Sequence, residues 1–229
     1  MGDVMEVLTS DDLRGWMTDF ARTIEAAQDH LSDLDAYAGD ADHGANLVRG
    51  TQAVLAALPQ LQGPPGQLCK DIGLILVDTI GGSSGVLYGT IFLRLAQAIG
   101  PTAPIIDLPT LSLGLGSAAK GISDRGGAQR GDKTMLDAVG PAAEALDLAV
   151  QEACPMSVAL IRTAEAAETG ARATAALQAR RGKASYVGVR SIGTSDPGAT
   201  SAALLLRCLA ARATLTSGED ADRHGIVVI

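Results

Sequence analysis

Between residues 35 and 46 the sequence reads DAYAGDADHGAN, which places the carboxylates of Asp35, Asp40 and Asp42 close together along the chain. Such carboxylates repel one another unless a cation lies among them, and a hard divalent ion such as Mg²⁺ or Ca²⁺ prefers carboxylate oxygens. The intervening glycines permit a tight turn that directs several side chains toward one ion. The stretch therefore predicts a metal site, and a solvated acidic loop that only caps the following helix is the alternative.

The ion that suits this stretch is Mg²⁺. An EF-hand loop begins Asp-x-Asp-x-Asp-Gly and has a glutamate at its twelfth position, and both features are missing here. Mg²⁺ usually keeps only a few protein carboxylates and completes its shell with water and phosphate oxygens. Phosphate-binding features are therefore expected elsewhere in the chain.

One such feature is the segment GGSSG at 81–85, which is followed by the apolar stretch 86–99. A glycine turn that opens into a helix presents free backbone N–H groups and the positive end of the helix dipole to an anion. The hydroxyls of Ser83 and Ser84 add two donors. Alone the motif is weak evidence, because glycine and serine also serve as ordinary helix breaks and caps.

A basic loop, DRGGAQRGDKTM, occupies 124–135. Its glycine and lysine spacing is similar to that of a P-loop, but Asp132 separates the glycine from Lys133 and no clear strand precedes it. We reject a P-loop and predict a cationic loop that is capped by Asp132 or Thr134 at the start of a helix.

A second glycine-rich basic loop covers residues 180–201. It ends where a helix is predicted to begin, with Asp196 as the N-cap, Pro197 at the first helical position and Gly198 beside it. This loop therefore offers both cationic side chains and a helix N-terminus.

Composition indicates one helical domain without affinity for polyanions. Of the 229 residues 47% are apolar and only 3% are aromatic, which suits close-packed helices better than sheets. We expect a single domain over 1–229, with a core at about 10–214 and a mobile tail at 215–229. The net charge of −8 without a basic run argues against nucleic acid or an anionic membrane as partner. It also means that a bound phosphate needs a metal to screen it.

Cysteine usage and the N-terminus indicate where the protein works. Cys69, Cys154 and Cys208 are odd in number, far apart and placed in predicted helices, so we expect free thiols in a reducing compartment. The N-terminus lacks the basic start and apolar core of a signal peptide, and no apolar run reaches the roughly 20 residues of a membrane span. We therefore expect a cytoplasmic protein.

Apolar spacing and helix breakers predict eight helices. Ser10 or Thr9 caps the first, and in the third the apolar run 74–77 leaves a strand conceivable by periodicity alone, although length favours a helix. The predicted ranges are about 10–31, 46–58, 66–80, 86–99, 110–123, 135–153, 155–180 and 199–214.

The order of these helices places the chemical groups together. In an antiparallel array, the loops after the first, third, fifth and seventh helices lie at the same end. Those loops are the acidic stretch, GGSSG and the two basic loops. The count therefore predicts one shared site, with metal carboxylates on one side and helix N-termini and basic residues around phosphates.

The motifs GDADHGAN, GGSSGVLYGTIF, GDKTMLDA and SYVGVRSIGTSDPGATS, in this order and at these separations, closely resemble the nucleotide-binding L subunit (DhaL family) of dihydroxyacetone kinase. The likeness covers about residues 10–214. It implies an all-α barrel of eight antiparallel helices, with ADP or ATP and two Mg²⁺ ions at one end.

The resemblance also assigns site residues, none of them catalytic in the sense of a protein nucleophile. Asp35, Asp40 and Asp42 stand at the family's metal positions. The residues at its nucleotide positions are His43, Gly44, Ala45, Asn46, Ser83, Ser84, Gly126, Met135, Arg181, Asp196, Pro197 and Gly198, with Met135 against the adenine.

The implied activity is phosphoryl transfer, in which a protein mainly positions groups and screens charge. In the phosphotransferase-system members of the family, a phosphohistidine carrier (M subunit) rephosphorylates bound ADP. The γ-phosphoryl then passes to dihydroxyacetone on a separate K subunit. Related chains instead use ATP directly on dihydroxyacetone or another short ketose, and a nucleotide-dependent contact with a transcriptional regulator is a further role. Homodimerisation is left open.

Three positions depart from the family pattern. Lys183 stands where arginine is usual, Val189 where glutamate is frequent, and Thr194 where histidine is common. None is an expected metal ligand, so nucleotide binding should persist, while partner contacts and the phosphoryl donor are the properties in question.

Overall fold

The computed structural model of the protein describes residues 6–37 and 39–215, and every regular element among them is helical. The only strand-like feature among these residues is an isolated antiparallel bridge between Leu8 and Ile106. The predicted all-α class is confirmed, and the predicted tail beyond Leu215 lies outside the described residues. The helices are α1 (Ser10–Ala26), α2 (Gln28–Ala36), α3 (His43–Ala57), α4 (Pro65–Ile80), α5 (Gly82–Ile99), α6 (Leu108–Gly126), α7 (Leu136–Gln151), α8 (Met156–Ala173) and α9 (Pro197–Leu215), with 3-10 segments at Thr174–Ala176 and Lys183–Ser191.

The described part of the chain contains nine α-helices instead of eight, because the predicted first helix is divided at Ala27. Ala27 has φ −95° and ψ 3°, which interrupts the helix for one residue. Its N–H still bonds the Thr23 carbonyl at 3.0 Å, and its carbonyl accepts the Leu31 N–H at 2.9 Å. The break therefore bends the helix without reversing the chain. Thr9 forms the predicted cap, reciprocally with Asp12.

Successive helices pack against one another in a closed order. From α3 to α9 each helix contacts the next, α9 contacts α1, and α1 contacts α3, while α2 lies against α3 and α9. This order agrees with the antiparallel array on which the shared site depends. The barrel of eight helices itself stays a prediction.

Several predicted helix limits were wrong in ways that affect the site. α2 extends through Asp35, α3 begins at His43 instead of Asn46, and α5 begins inside GGSSG at Gly82 instead of Val86. α8 ends at Ala173, about seven residues earlier than predicted, whereas α9 begins at Pro197, the predicted first helical position. Segment 74–77 is helical, as its length favours.

The core is built from small aliphatic side chains around a few aromatic ones. The Trp16 ring lies 5.4 Å from that of Phe92, and the Phe20 and Tyr88 rings are 6.0 Å apart, measured between centroids. The Trp16 indole N–H donates to the Leu205 carbonyl at 2.8 Å, which joins α1 to α9. Among the described residues no helix is long and apolar enough to cross a membrane.

Replacing Trp16 by phenylalanine tests this junction. The change removes an indole hydrogen bond and leaves a gap beside Phe92, so we expect the free energy of unfolding to fall by about 1–3 kcal/mol. Urea denaturation followed by far-ultraviolet circular dichroism measures it. Leu113→Ala is the control, because Leu113 is 63% exposed and its loss should change stability by less than about 0.5 kcal/mol. Equal effects of the two changes would contradict the assigned role of Trp16.

Candidate functional site

The three aspartates of the acidic stretch form one cluster. Asp35 lies in the last turn of α2, Asp42 is the N-cap residue of α3, and Asp40 lies between these helices. One carboxylate oxygen from each lies within 4.8 Å of the others. Opposite ligands of a Mg²⁺ octahedron are about 4.2 Å apart, so small side-chain rotations would bring these oxygens onto one ion. The donor set, all carboxylate, also fits Mg²⁺.

Backbone conformation holds these carboxylates in place. Ala41 has φ +61°, a left-handed conformation that is uncommon outside glycine and that turns the chain sharply between Asp40 and Asp42. A side chain on Gly39 would collide with the Asp35 carboxylate, so the backbone can pass this close only at glycine. The Asp35 Oδ2 atom accepts the N–H groups of Asp42 at 3.0 Å and His43 at 3.3 Å.

The cluster also binds a lysine from the distant basic loop. The Lys183 ammonium contacts the Asp40 carboxylate. The hydrogen bond from Lys183 lowers the pKa of Asp40, and the bond to Asp40, together with the charges of Asp42 and Asp35, raises the pKa of Lys183. Lys183, noted above only as a departure from the family pattern, thus supplies a positive charge at the cluster.

His43 joins the acidic stretch to two other helices. Its side chain is 6% exposed, its Nε2 lies 2.9 Å from the Ser201 hydroxyl on α9, and its Nδ1 lies 3.3 Å from the Ser84 hydroxyl on α5. Burial lowers the pKa of His43, against the charges of Asp35 and Asp42, which raise it. The nucleotide role that the resemblance implies for His43 stays a prediction, and in the structure its ring lies between two protein hydroxyls.

The next residues form the N-terminus of α3. Gly44 is buried against α2, so close that a side chain there would collide with the Gln28 carbonyl. The next residue, Ala45, is exposed. The Asn46 amide oxygen accepts from Arg49 at 2.8 Å, and Arg49 also donates to the Thr79 and Ile80 carbonyls at 2.8 and 2.6 Å. Arg49, which the sequence did not single out, thereby fixes the end of α4 just before the glycine turn.

At the start of α5, Gly81 and Gly82 have φ +78° and +56°. Ser83 is exposed, and Ser84 faces His43. No side chain caps this helix end. At the neighbouring helix starts, by contrast, Asp35 accepts the first N–H of α3 and Asp196 accepts an N–H of α9. The N-terminus of α5 is therefore the one among these three that no carboxylate caps, which favours an anion there.

The first basic loop is held by buried charged residues. Asp137 accepts the N–H groups of Gly131 at 2.5 Å and Thr134 at 2.8 Å. Lys133 has φ +62° and is 3% exposed, and its ammonium donates to the Thr174 carbonyl at 2.8 Å and the Thr194 carbonyl at 2.5 Å. Burial lowers the pKa of Lys133, and the nearby Asp196 charge opposes this shift. The loop is thus less cationic at its surface than its sequence predicted.

Three predicted nucleotide residues lie around this loop. Arg181 Nε lies 3.4 Å from Asp132 Oδ2, and the guanidinium also lies beside Gly127, next to Gly126 at the end of α6. Met135 is 3% exposed and lies against Gly198. The two basic loops therefore meet each other.

The turn before α9 has the predicted geometry. Asp196 Oδ2 accepts the Ala199 N–H at 2.7 Å as an N-cap, and Pro197 is the first helical residue. Burial raises the pKa of Asp196 to about 7, while the Ala199 N–H and the Lys133 charge favour its ionised form. The Asp196 N–H donates to the Thr174 hydroxyl at 2.8 Å, which ties this turn to the end of α8.

The four predicted segments are linked in series by three contacts. The acidic stretch contacts GGSSG through His43–Ser84 and the second basic loop through Asp40–Lys183, and the two basic loops meet at Asp132–Arg181. The prediction that they share one end of the fold agrees with these contacts, while the ligand role of each residue stays a prediction. The residues that sequence reasoning missed are Arg49, Tyr88, Asp137 and Ser201, and it expected Lys133 as a cation of the loop and not as a buried residue. Only their position inside the quoted motifs could have drawn attention to Tyr88, Asp137 and Ser201, and nothing local marks Arg49.

The chain matches a known protein family over most of its length. The model of the DAK2 domain matches residues 37–211. The ADP-binding subunit DhaL of the PEP-dependent dihydroxyacetone kinase from Escherichia coli (strain K12) is 38% identical over 204 residues, which cover 89% of this chain and 97% of that subunit. The D-erythrulose kinase of Mycolicibacterium smegmatis is 36% identical, with 96% of this chain and 40% of that kinase aligned.

A solved structure shares the fold. The dihydroxyacetone kinase of C. freundii, determined in complex with AMP-PNP and Mg²⁺, superposes with a TM-score of 0.66 at 27% identity. The match covers 92% of this chain and 36% of the C. freundii chain.

The raised pKa of Asp196 predicts a pH dependence of stability. Between about pH 4 and 7 the folded chain holds a proton on Asp196 that the unfolded chain has lost, so this group contributes less stability as pH rises. We expect wild type to lose about 1–3 kcal/mol relative to Asp196→Asn, which keeps a capping side chain, between pH 4.5 and 8.

Urea denaturation at both pH values measures this difference. Asp107→Asn is the control, because Asp107 caps α6 and the Thr110 hydrogen bonds lower its pKa. Its contribution is lost only as pH falls below about 4, so its difference from wild type should stay constant across the same window. Parallel pH curves for wild type and Asp196→Asn would mean that Asp196 is ionised throughout.

Proposed function

The chain belongs to the DAK2 domain family, and we propose that it is the ADP-binding phosphoryl-transfer subunit of a dihydroxyacetone kinase. In this role it is a phosphotransferase component that acts with a separate subunit carrying dihydroxyacetone. The alignment with the Escherichia coli subunit supports this, because it covers nearly the whole of both chains. Such coverage leaves no room for a substrate domain in the aligned part.

The observation that carries the proposal is the placing of a carboxylate cluster beside an uncapped helix N-terminus. Asp42 precedes His43, and the His43 ring touches Ser84 in the first turn of α5. Nucleotide phosphates need both a metal to screen their charge and N–H donors to orient their oxygens. On a chain of net charge −8 the metal is required before phosphates can approach.

Each group would have a defined task. Asp35, Asp40 and Asp42 would hold Mg²⁺, which when bound supplies neutralisation of phosphate charge. The N-terminus of α5 with Ser83 would bind phosphate oxygens, and Arg181 and Lys183 would add positive charge from the second basic loop. From the resemblance, Met135 would lie against the adenine. No protein nucleophile is needed, because in-line phosphoryl transfer depends mainly on positioning and electrostatics.

The donor and the acceptor are further parts of the proposal. We propose that a phosphohistidine carrier of the phosphotransferase system recharges bound ADP and that the γ-phosphoryl passes to dihydroxyacetone on a K subunit. Docking of both partners requires an accessible surface beside the site. Tyr186 and Val189, 89% and 70% exposed on the segment that follows Lys183, offer apolar contacts there.

The second candidate is a subunit or domain of an ATP-dependent ketose kinase. The alignment of almost this whole chain with part of a D-erythrulose kinase favours it. The two candidates differ in whether the nucleotide stays bound between turnovers.

Native mass spectrometry separates them. After thorough desalting into a Mg²⁺ buffer, retained ADP with Mg²⁺ would support a resident nucleotide and a phosphocarrier donor. The number of retained ions also tests the two expected Mg²⁺. A chain that is isolated empty, takes up ATP and releases ADP quickly would support the ATP-dependent kinase. Failure to bind either nucleotide would contradict both.

Removing two carboxylates tests the site itself. Asp40→Asn with Asp42→Asn should weaken Mg²⁺-dependent ADP binding by at least about 100-fold, because the metal loses two charged ligands. Isothermal titration calorimetry measures the affinity, and circular dichroism should show unchanged helix content. Asp29→Asn with Asp33→Asn is the control: it removes two exposed charges from the preceding helix, α2, and should leave the affinity within about threefold. An unchanged ADP affinity in the first variant would exclude this cluster as the metal site.

A further inference from the structure

The Ser201 hydroxyl is a buried junction between three helices. It lies in the first turns of α9, is 0% exposed, and contacts the Tyr88 hydroxyl of α5 at 2.8 Å and His43 Nε2 of α3 at 2.9 Å. It also lies 3.2 Å from the Gly198 carbonyl of its own helix. The N-termini of these same three helices surround the candidate phosphate site.

Counting hydrogens gives every bond in this junction a direction. A serine hydroxyl has one hydrogen and two lone pairs. The Ser201 hydroxyl donates its hydrogen to the Gly198 carbonyl, and the Tyr88 hydroxyl donates to one Ser201 lone pair. The other lone pair can only accept, so His43 must donate to it through Nε2–H.

This direction continues to the surface of the site. With the hydrogen on Nε2, the Nδ1 atom of a neutral His43 is an acceptor, and its partner at 3.3 Å is the Ser84 hydroxyl. The Ser84 hydrogen is then directed to His43 and not toward an anion. Ser84 presents lone pairs to the site, whereas the exposed Ser83 is the serine that can donate to a phosphate.

We propose that Ser201 is a positioning residue of this site: its hydroxyl fixes His43 as the Nε2–H tautomer, directs Ser84 inward, and so sets the relative position of the N-termini of α3, α5 and α9. The proposal rests on the proposed function for the identity of the ligand. The hydrogen-bond directions do not depend on it.

Ser201→Ala removes all three contacts of the Ser201 hydroxyl, and Tyr88→Phe removes one of them, each with little change in volume. We expect each variant to bind ADP in Mg²⁺ about tenfold more weakly by calorimetry. Without the full junction, the N-termini of α3, α5 and α9 would no longer keep the relative positions that suit the phosphates. The double variant should be little weaker than either single one, since both act through one junction.

Thr23→Val is the matched control. Thr23 makes a buried contact of 3.3 Å with Cys208, which lies two turns beyond Ser201 on α9. Its loss should lower stability comparably but leave ADP affinity unchanged. A loss of affinity in Thr23→Val equal to that in Ser201→Ala would show that general destabilisation explains the effect, and would overturn the proposal.

The tautomer gives a readout that needs no nucleotide. Imidazole ¹⁵N chemical shifts at pH 7.5 should show His43 protonated on Nε2 in wild type and a mixture of tautomers in Ser201→Ala, with the signal assigned by its loss in His43→Gln. A Nδ1–H tautomer in wild type would overturn the proposal. A wild-type chain that shows the Nε2–H tautomer but binds no ADP would support the hydrogen-bond assignment and contradict the proposed function.

Discussion

The structure depends on an electrostatic balance at one end of the helix array. Helices α3, α5 and α9 begin there, and the partial positive charges of their N-termini lie near the carboxylates of the acidic cluster. Asp35 and Asp196 accept N–H groups from α3 and α9, so side chains already cap two of these helix starts. What remains is the carboxylate cluster, where Lys183 contacts Asp40, on one side and the uncapped start of α5 on the other. Metal and phosphate would complete these two halves.

Buried polar residues hold this end together where an apolar core could not. A helix terminus carries N–H and C=O groups that the helix cannot pair. Where the ends of several helices lie together, other groups such as side chains must pair them. Lys133 and Arg49 do so for carbonyls at the ends of α8 and α4, and Asp137 does so for the N–H groups before α7. The polar residues at this end therefore pair helix-end groups that the helices themselves leave unpaired.

Members of this family differ in phosphoryl donor and acceptor, and the groups proposed for metal and phosphate lie on other segments than the surface proposed for partners. The groups proposed to bind metal and phosphate come from the acidic stretch and the start of α5. The segment Lys183–Ser191 is separate from them along the chain and exposes Tyr186 and Val189. Replacement of charged by apolar side chains on that segment changes what can dock, while the carboxylates of Asp35, Asp40 and Asp42 remain in place.

The sequence alone determined what short-range chemistry determines. The helical class follows from apolar spacing, the Thr9 and Asp196 caps from hydrogen bonds over three residues, and the acidic cluster from three carboxylates that are close along the chain. The order of the helices further predicted that the four segments share one end. Local signals failed at helix limits such as Gly82 and Ala173, because packing decides how far a helix extends.

Only the tertiary structure decided which polar groups pair. His43 and Ser201 are 158 positions apart, and Asp40 and Lys183 are 143 apart. No local propensity encodes such pairs, because each depends on the packing of several helices at once. The nucleotide roles that the resemblance implies for His43 and Ser84 stay predictions, and the fold adds what no local signal could show, that the His43 ring lies between the hydroxyls of Ser84 and Ser201.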